Sequence, residues 1–303
     1  MTTPLHHVLL DTDIGSDVDD ALALGVLLGS PADVRVEAVT TVYGDTLLRA
    51  RLAHRLAALA GHELTVVPGA EDTLSGREVW WAGHEGAAFT DLETEPVHDD
   101  VPADRFLAEA VLARPGGLDV MGIAPQANLA RAIARAPGFA EAVRTLYLMG
   151  GHFGPDAGPE HNIVSDITAA RAVFAAGIPT VITGIETTRR VRIGRDGIER
   201  IRAAGPYGVA LAREIDAWTG FTGEGWSVPH DPITALSMLR PDLYRTEPGT
   251  VTVDDEGVTT FHRDPSGHVR LVVDADLDQV AEEIVARIER AGTTATPRSR
   301  SAT

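Results

Sequence analysis

Five carboxylates fall within ten residues, at Asp11, Asp13, Asp17, Asp19 and Asp20. They follow a short apolar run, His7–Asp11, that reads as a buried strand, and they open a stretch with apolar residues at helical spacing, Asp19–Leu28. Like charges crowded at the end of a buried strand repel one another. Raised pKa values would relieve this, but a cation is the simpler remedy. The donors are all oxygen, which suits a hard ion, and several carboxylates with carbonyls and waters favour Ca2+ over Mg2+. Helix capping is the competing explanation, and it accounts for one or two of the five. An EF-hand is excluded, because Gly15 and Ser16 stand at the fifth and sixth positions counted from Asp11. A strand followed by Asp-x-Asp also opens phosphatases of the aspartyl-phosphate type. Gly15 stands where those carry Thr or Val, and no matching downstream Lys with paired acids is seen, so that class is the alternative enzyme reading.

Other groups with chemistry come after later apolar runs. They are Tyr43-Gly44-Asp45, Pro125–Asn128, Gly150-Gly151-His152, Glu160-His161-Asn162 and Glu186, and the pair His230-Asp231 stands near the start of a late helix. The aromatic side chains Trp80, Trp81, Phe221 and Trp226 lie in Gly-rich segments, where they either stack on a flat ligand or pack as a lid. Arg189-Arg190 reads as a solvated or interface feature rather than a phosphate site.

The elements that would position these residues alternate. Strands are expected at Val34–Val42, Leu64–Val67, Leu118–Ile123, Thr145–Met149 and Pro179–Ile185. Helices are expected at Leu47–Ala60, Phe106–Ala113, Asn128–Ala136 and Ile167–Ala176. This rhythm predicts an α/β fold: an open, mostly parallel, doubly wound (Rossmann-like) sheet flanked by helices. Helices follow at Arg195–Ala204, Tyr207–Trp218 and Asp231–Leu239. A small β-hairpin region covers Val251–Val273, and an amphipathic helix covers Leu277–Ala291. No linker divides the chain, so residues 1–292 read as one catalytic domain and 293–303 as a disordered tail. In an open parallel sheet ligands bind beyond the carboxyl ends of the strands, where the polar groups above collect.

Bulk composition narrows the chemistry. The 303 residues carry a formal net charge of −18, which argues against nucleic acid and anionic membranes as partners and for a small neutral or cationic ligand or a metal ion. With no cysteine there is no disulfide, thiolate site or cysteine nucleophile. No apolar run is long enough to span a bilayer. Met1–His7 lacks the pattern of a signal peptide, so the chain reads as cytoplasmic.

Six segments, in order over about residues 7–240, together resemble the inosine-uridine-preferring nucleoside hydrolase family. The family opens with a strand and Asp-x-Asp-Pro-Gly-x-Asp-Asp-Ala. Asp13, Gly15, Asp19, Asp20 and Ala21 match it, with Ile14 in place of Pro and two extra residues before Asp19. Thr40–Asp45 matches Thr-Thr-Val-x-Gly-Asn, and Ala124–Asn128 matches Gly-Pro-Leu-Thr-Asn. Met149–Gly151 matches Met-Gly-Gly, Glu160–Asn162 matches Glu-Phe-Asn, and His230–Pro232 matches His-Asp-Pro.

The resemblance implies hydrolysis of the N-glycosidic bond of ribonucleosides with Ca2+ as cofactor, and assembly as a homodimer or homotetramer; the alternatives are hydrolysis of another N-riboside at the same calcium and ribose site, and a non-catalytic ribose-binding protein. Asp13, Asp20, Asp231 and the carbonyl of Ala127 would be the metal ligands. Asp13 would also take a proton from the calcium-bound water, and His230 would protonate the departing base. Asp19, Asp45, Glu160 and Asn162 would hold the ribose, with His152 and Trp226 as further substrate contacts. The two-residue insertion leaves Asp17 without a counterpart, Asp45 replaces an amide, and His161 replaces an aromatic.

Overall fold

The computed structural model describes residues 5–293. The tail expected to be disordered lies outside the described residues except for its first residue, Thr293, which ends the last helix.

The nine strands of the described residues join one sheet. They are β1 (His6–Thr12), β2 (Val34–Thr41), β3 (Val66–Pro68), β4 (Asp119–Gly122), β5 (Thr145–Met149), β6 (Thr180–Thr183), β7 (Tyr244–Val253), β8 (Thr259–Arg263) and β9 (Val269–Ala275). Their order is β3-β2-β1-β4-β5-β6-β9-β7-β8. The first seven neighbours run parallel, and β7 pairs antiparallel with both β9 and β8. The doubly wound expectation therefore holds. The hairpin region is not a separate appendage, because β9 adds to the main sheet through Thr180↔Val269 and the next two pairs. Such a long-range parallel pairing leaves no local sequence signal.

Twelve helices cover the sheet: α1 (Asp19–Leu28), α2 (Thr46–Leu59), α3 (Ala103–Ala113), α4 (Ala127–Arg135), α5 (Phe139–Ala142), α6 (His161–Ser165), α7 (Ile167–Ala175), α8 (Ile185–Thr188), α9 (Arg195–Arg202), α10 (Gly205–Thr222), α11 (His230–Leu239) and α12 (Leu277–Thr293). Two large apolar cores result, with a small third cluster of Val42, Tyr43, Ala70, Ala124 and Ala127. One gathers α1, α2, α10, α11 and α12, and the other α3, α4 and α7 with parts of β7 and β9. Strand β1 is central, with Val8, Leu9 and Leu10 all buried, as expected of a strand covered on both faces. Helix α1 is buried along all ten residues, because α11 and α12 pack on the side that does not face the sheet. Its first turn, Asp19-Asp20, thus enters the protein at the carboxyl end of β1, where the helix N-terminus favours negative charge.

The extra helix α8 begins just beyond β6, and α6 begins at His161 after the loop that follows β5. Phe221, expected in a loop, ends the long helix α10, which closes on Gly223 at φ 74.

Candidate active site

A cavity of about 320 Å3 opens at the carboxyl ends of the parallel strands, lined by Asp13, Ser16, Asp17, Asp19, Asp20, Ile123, Met149, Glu160, His161, Asn162, His230 and Asp231, with Trp80, Trp218 and Ile185 at its apolar wall. This volume suits a small-molecule ligand. Strand β1 delivers Asp13 and α1 delivers Asp19 and Asp20, while α11 brings His230 and Asp231 from far along the chain. The turn between β1 and α1 passes through Gly15 at φ 121, a conformation that only glycine adopts without strain.

Carboxylate oxygens of Asp19, Asp20 and Asp231 lie within 4.8 Å of one another, and all three residues are buried. Burial, and then repulsion among Asp13, Asp17, Asp19, Asp20 and Asp231, pushes Asp19, Asp20 and Asp231 well above the usual carboxylate range. Asp13 is also raised by burial, against the charges of Arg49 and His161. Asp17 is raised to about 7, by burial and then by Asp20 and Asp13. The partners these groups do have are few. Thr12 donates its hydroxyl to Asp20, the Asp231 N–H donates to Asp19, and Asp17 accepts from the Val18 N–H at 2.6 Å. So many buried acids with so few donors fit a bound divalent cation.

Opposite them, Glu160 caps α6 and accepts the N–H groups of Asn162 at 2.9 Å, Gly151 at 2.9 Å and Ile163 at 3.2 Å. Burial raises its pKa. The Asn162 amide donates to the carbonyls of Ile123 and Met149, both at 3.3 Å, which ties it to the ends of β4 and β5. His161 meets the rings of Tyr43 and Trp80 edge-on at 5.9 and 5.8 Å. Burial, then the charge of Arg189, lowers His230 to about 4. Its Nδ1 lies 2.6 Å from the Thr188 hydroxyl.

Asp13, Asp19, Asp20, Glu160, Asn162, His230 and Asp231 thus come together. The tight carboxylate trio contains Asp19, whereas the set implied by the resemblance contained Asp13. Ala127 is buried at the first turn of α4, packed with Val42, Tyr43, Ala70 and Ala124.

Ala127 does not line the cavity, nor do three of the expected substrate contacts. Asp45 is exposed and caps α2 through the Leu48 N–H at 2.9 Å, so the capping demand of the helix has claimed the carboxylate. The His152 ring is held between the Gly158 N–H at 3.2 Å and the Arg189 guanidinium at 3.1 Å. Trp226 stacks under Arg192 at 4.4 Å, outside the cavity wall. Sequence reasoning missed Trp218, which stacks on Phe221 with ring centres 5.6 Å apart. It gave Ser16 no role, although Ser16 lines the cavity.

The family model for inosine-uridine preferring nucleoside hydrolases matches residues 8–282, and the chain belongs to that family. It is a nucleoside hydrolase, which sets aside the phosphatase reading. A probable uridine nucleosidase 2 of Arabidopsis thaliana is 30% identical over 83% of this chain and 83% of its own length. A pyrimidine-specific ribonucleoside hydrolase RihA of Citrobacter koseri is 30% identical over 84% of this chain and 85% of its own. Among solved structures, a purine-preferring ribonucleoside hydrolase from Gardnerella vaginalis superposes with a TM-score of 0.85 at 25% identity, covering 95% of this chain and 99% of that one.

Proposed function

We propose that this cavity hydrolyses ribonucleosides to ribose and free base with a calcium-type cation bound at the acidic cluster. The observation that carries the reading is the convergence of Asp19, Asp20 and Asp231 beside Asp13, facing Glu160 and Asn162 across one cavity. Asp20 and Asp231 would hold the ion, with Asp13 and the Ala127 carbonyl as the further ligands that the family resemblance implies. When bound, the ion would neutralise the buried acids, fix a ribose diol and make a nearby water more acidic.

The chain's own residues then divide the work. Asp13 takes a proton from the water that adds to C1′. Asp19 accepts a hydrogen bond from a ribose hydroxyl, and Glu160 and Asn162 hold the other side of the sugar. As the C–N bond breaks, its electron pair leaves with the base, and the surrounding carboxylates stabilise the oxocarbenium-like sugar. His230 faces the departing base. Held neutral by burial, it donates a hydrogen bond that stabilises the negative charge building on the base, and the released base takes its proton from water. Trp80 and Trp218 offer flat apolar surface for that base.

Reducing sugar released from a panel of purine and pyrimidine ribonucleosides, in phosphate-free buffer, tests the reading. Release from at least one nucleoside supports it. Release only from other N-ribosides would leave the ribose site and remove the nucleoside assignment, and no release from any riboside by calcium-loaded protein would defeat it.

A further inference from the structure

Arg49, near the start of α2, is 1% exposed, the bulkiest of the fully buried side chains. A buried cation is costly unless its donors are satisfied. The bonds Arg49 makes go to backbone carbonyls and a hydroxyl. Nε donates to the Tyr43 carbonyl at 2.7 Å, Nη1 to the carbonyls of Asp13 and of Ile14 (3.0 Å), and Nη2 to the Ser16 hydroxyl at 3.2 Å. It thereby fastens two strained turns. One follows β1 through Gly15. The other follows β2 through Tyr43, at φ 71 the one non-glycine residue with positive φ among the described residues, and Gly44 at φ 80.

The same guanidinium reaches the segment that walls the cavity. The Trp81 ring stacks on it at 4.8 Å and packs so close to Gly44 that a Cβ there would come within 2.8 Å of the ring. From Ser16 a second path runs to the same segment. The Ser16 hydroxyl donates to Glu85 at 2.7 Å, and Glu85 accepts the N–H groups of Ala82 and Gly83, each at 2.7 Å. The Ser16 carbonyl lies 2.8 Å from His84 Nε2, and the Trp80 N–H donates to the Tyr43 hydroxyl at 2.8 Å. Trp80, unlike Trp81, lines the cavity.

We infer that Arg49 is the positioning residue of this site: its guanidinium holds the backbone that aims Asp13 and, through Trp81 and Ser16–Glu85, locks the 80–85 segment to the acidic turn. Cation binding at the acidic turn and the placement of Trp80 are therefore coupled through one side chain. This rests on the proposed calcium-dependent hydrolysis. Lysine cannot replace the planar fork, because one ammonium cannot reach carbonyls on two turns and stack on an indole at once.

The test is a calcium titration of the chelated protein followed by tryptophan emission and by calorimetry, with turnover measured alongside. In wild type, calcium should shift the emission, and Trp81→Phe should remove most of that shift while Trp226→Phe keeps it. Arg49→Lys should bind calcium at least about tenfold more weakly. Its kcat should fall by about 100-fold, the scale of an ångström of misplacement, with KM within about threefold. Guanidinium at millimolar concentration should restore part of the turnover of Arg49→Ala, which a merely structural arginine would not allow. Wild-type calcium affinity and kcat in a folded Arg49→Lys protein would overturn the inference. If the Arg49 variants do not fold, the tryptophan pair decides: an emission shift absent from wild type, or unchanged in Trp81→Phe, overturns it. Failure of every riboside to turn over would defeat the hydrolase reading and leave the calcium and emission measurements to judge Arg49.

Discussion

Replacing Glu214 with glutamine removes a buried acid from α10 that has no apparent use in the site. Glu214 is 6% exposed, its Oε1 has no hydrogen-bond partner, and burial alone raises its pKa from 4.5 to about 7. The sign follows from proton counting. Below about pH 4.5 the group is protonated folded and unfolded. Between about 4.5 and 7 the unfolded chain releases the proton and the folded chain keeps it, so stability falls as pH rises, and above about 7 the loss is complete. At 1.36 kcal/mol per unit the full effect is ~3 kcal/mol, of which ~2.5 kcal/mol develops between pH 5 and pH 8. Thermal unfolding of wild type and Glu214→Gln in chelator at both pH values isolates the term, because the acidic cluster is common to both proteins. The variant should gain roughly 5 °C relative to wild type on going from pH 5 to pH 8. An identical pH dependence in the two proteins would refute the reasoning.

Calcium at about 100 times its dissociation constant should stabilise the protein by ~2.7 kcal/mol, read as a rise in Tm that chelator reverses and that Asp231→Ala lacks. Glu160→Gln should lower kcat/KM by roughly 10- to 100-fold, because it weakens a carboxylate set to meet the sugar, and steady-state kinetics with a circular-dichroism check of folding will show it. His230→Ala should reduce kcat on ribonucleosides by about 100-fold or more. It should spare a nitrophenyl riboside, whose leaving group departs without a proton. Equal losses on both substrates would remove the leaving-group role.

The parallel half of the sheet was legible because each strand is a short buried run followed by a helical pattern. The site was legible because α/β topology places its residues just after those strands. Asp11–Asp20, Met149–Gly151 and, further along the same loop, Glu160–Asn162 follow that rule, whereas His230-Asp231 open α11 after α10 and reach the site by helix packing. What stayed hidden depended on packing between distant segments. Arg49 lies in the charged stretch Arg49-Ala-Arg51-Leu-Ala-His54-Arg55, and the approach of the Asp13–Ser16 turn, the Tyr43 turn and Trp81 buries it. Asp45 matched a motif position, but a side chain that can cap its own helix does so locally. Trp226 and Trp218 could not be told apart from sequence. Arg192 took the first, and the register of α10 put the second on the cavity wall. The seat of β9 against β6 joins segments about ninety residues apart, with no turn between them to announce it.

The central claim is that cation binding by the acidic cluster enables the chain to release a base from a ribonucleoside. Base release followed by chromatography, first with calcium stripped by chelator, then with calcium restored, and in parallel for Asp13→Ala, tests it most directly. Without the ion there should be no release, calcium should restore it fully, and Asp13→Ala should give none under either condition. Release that is indifferent to chelator, or that persists in Asp13→Ala, would contradict it.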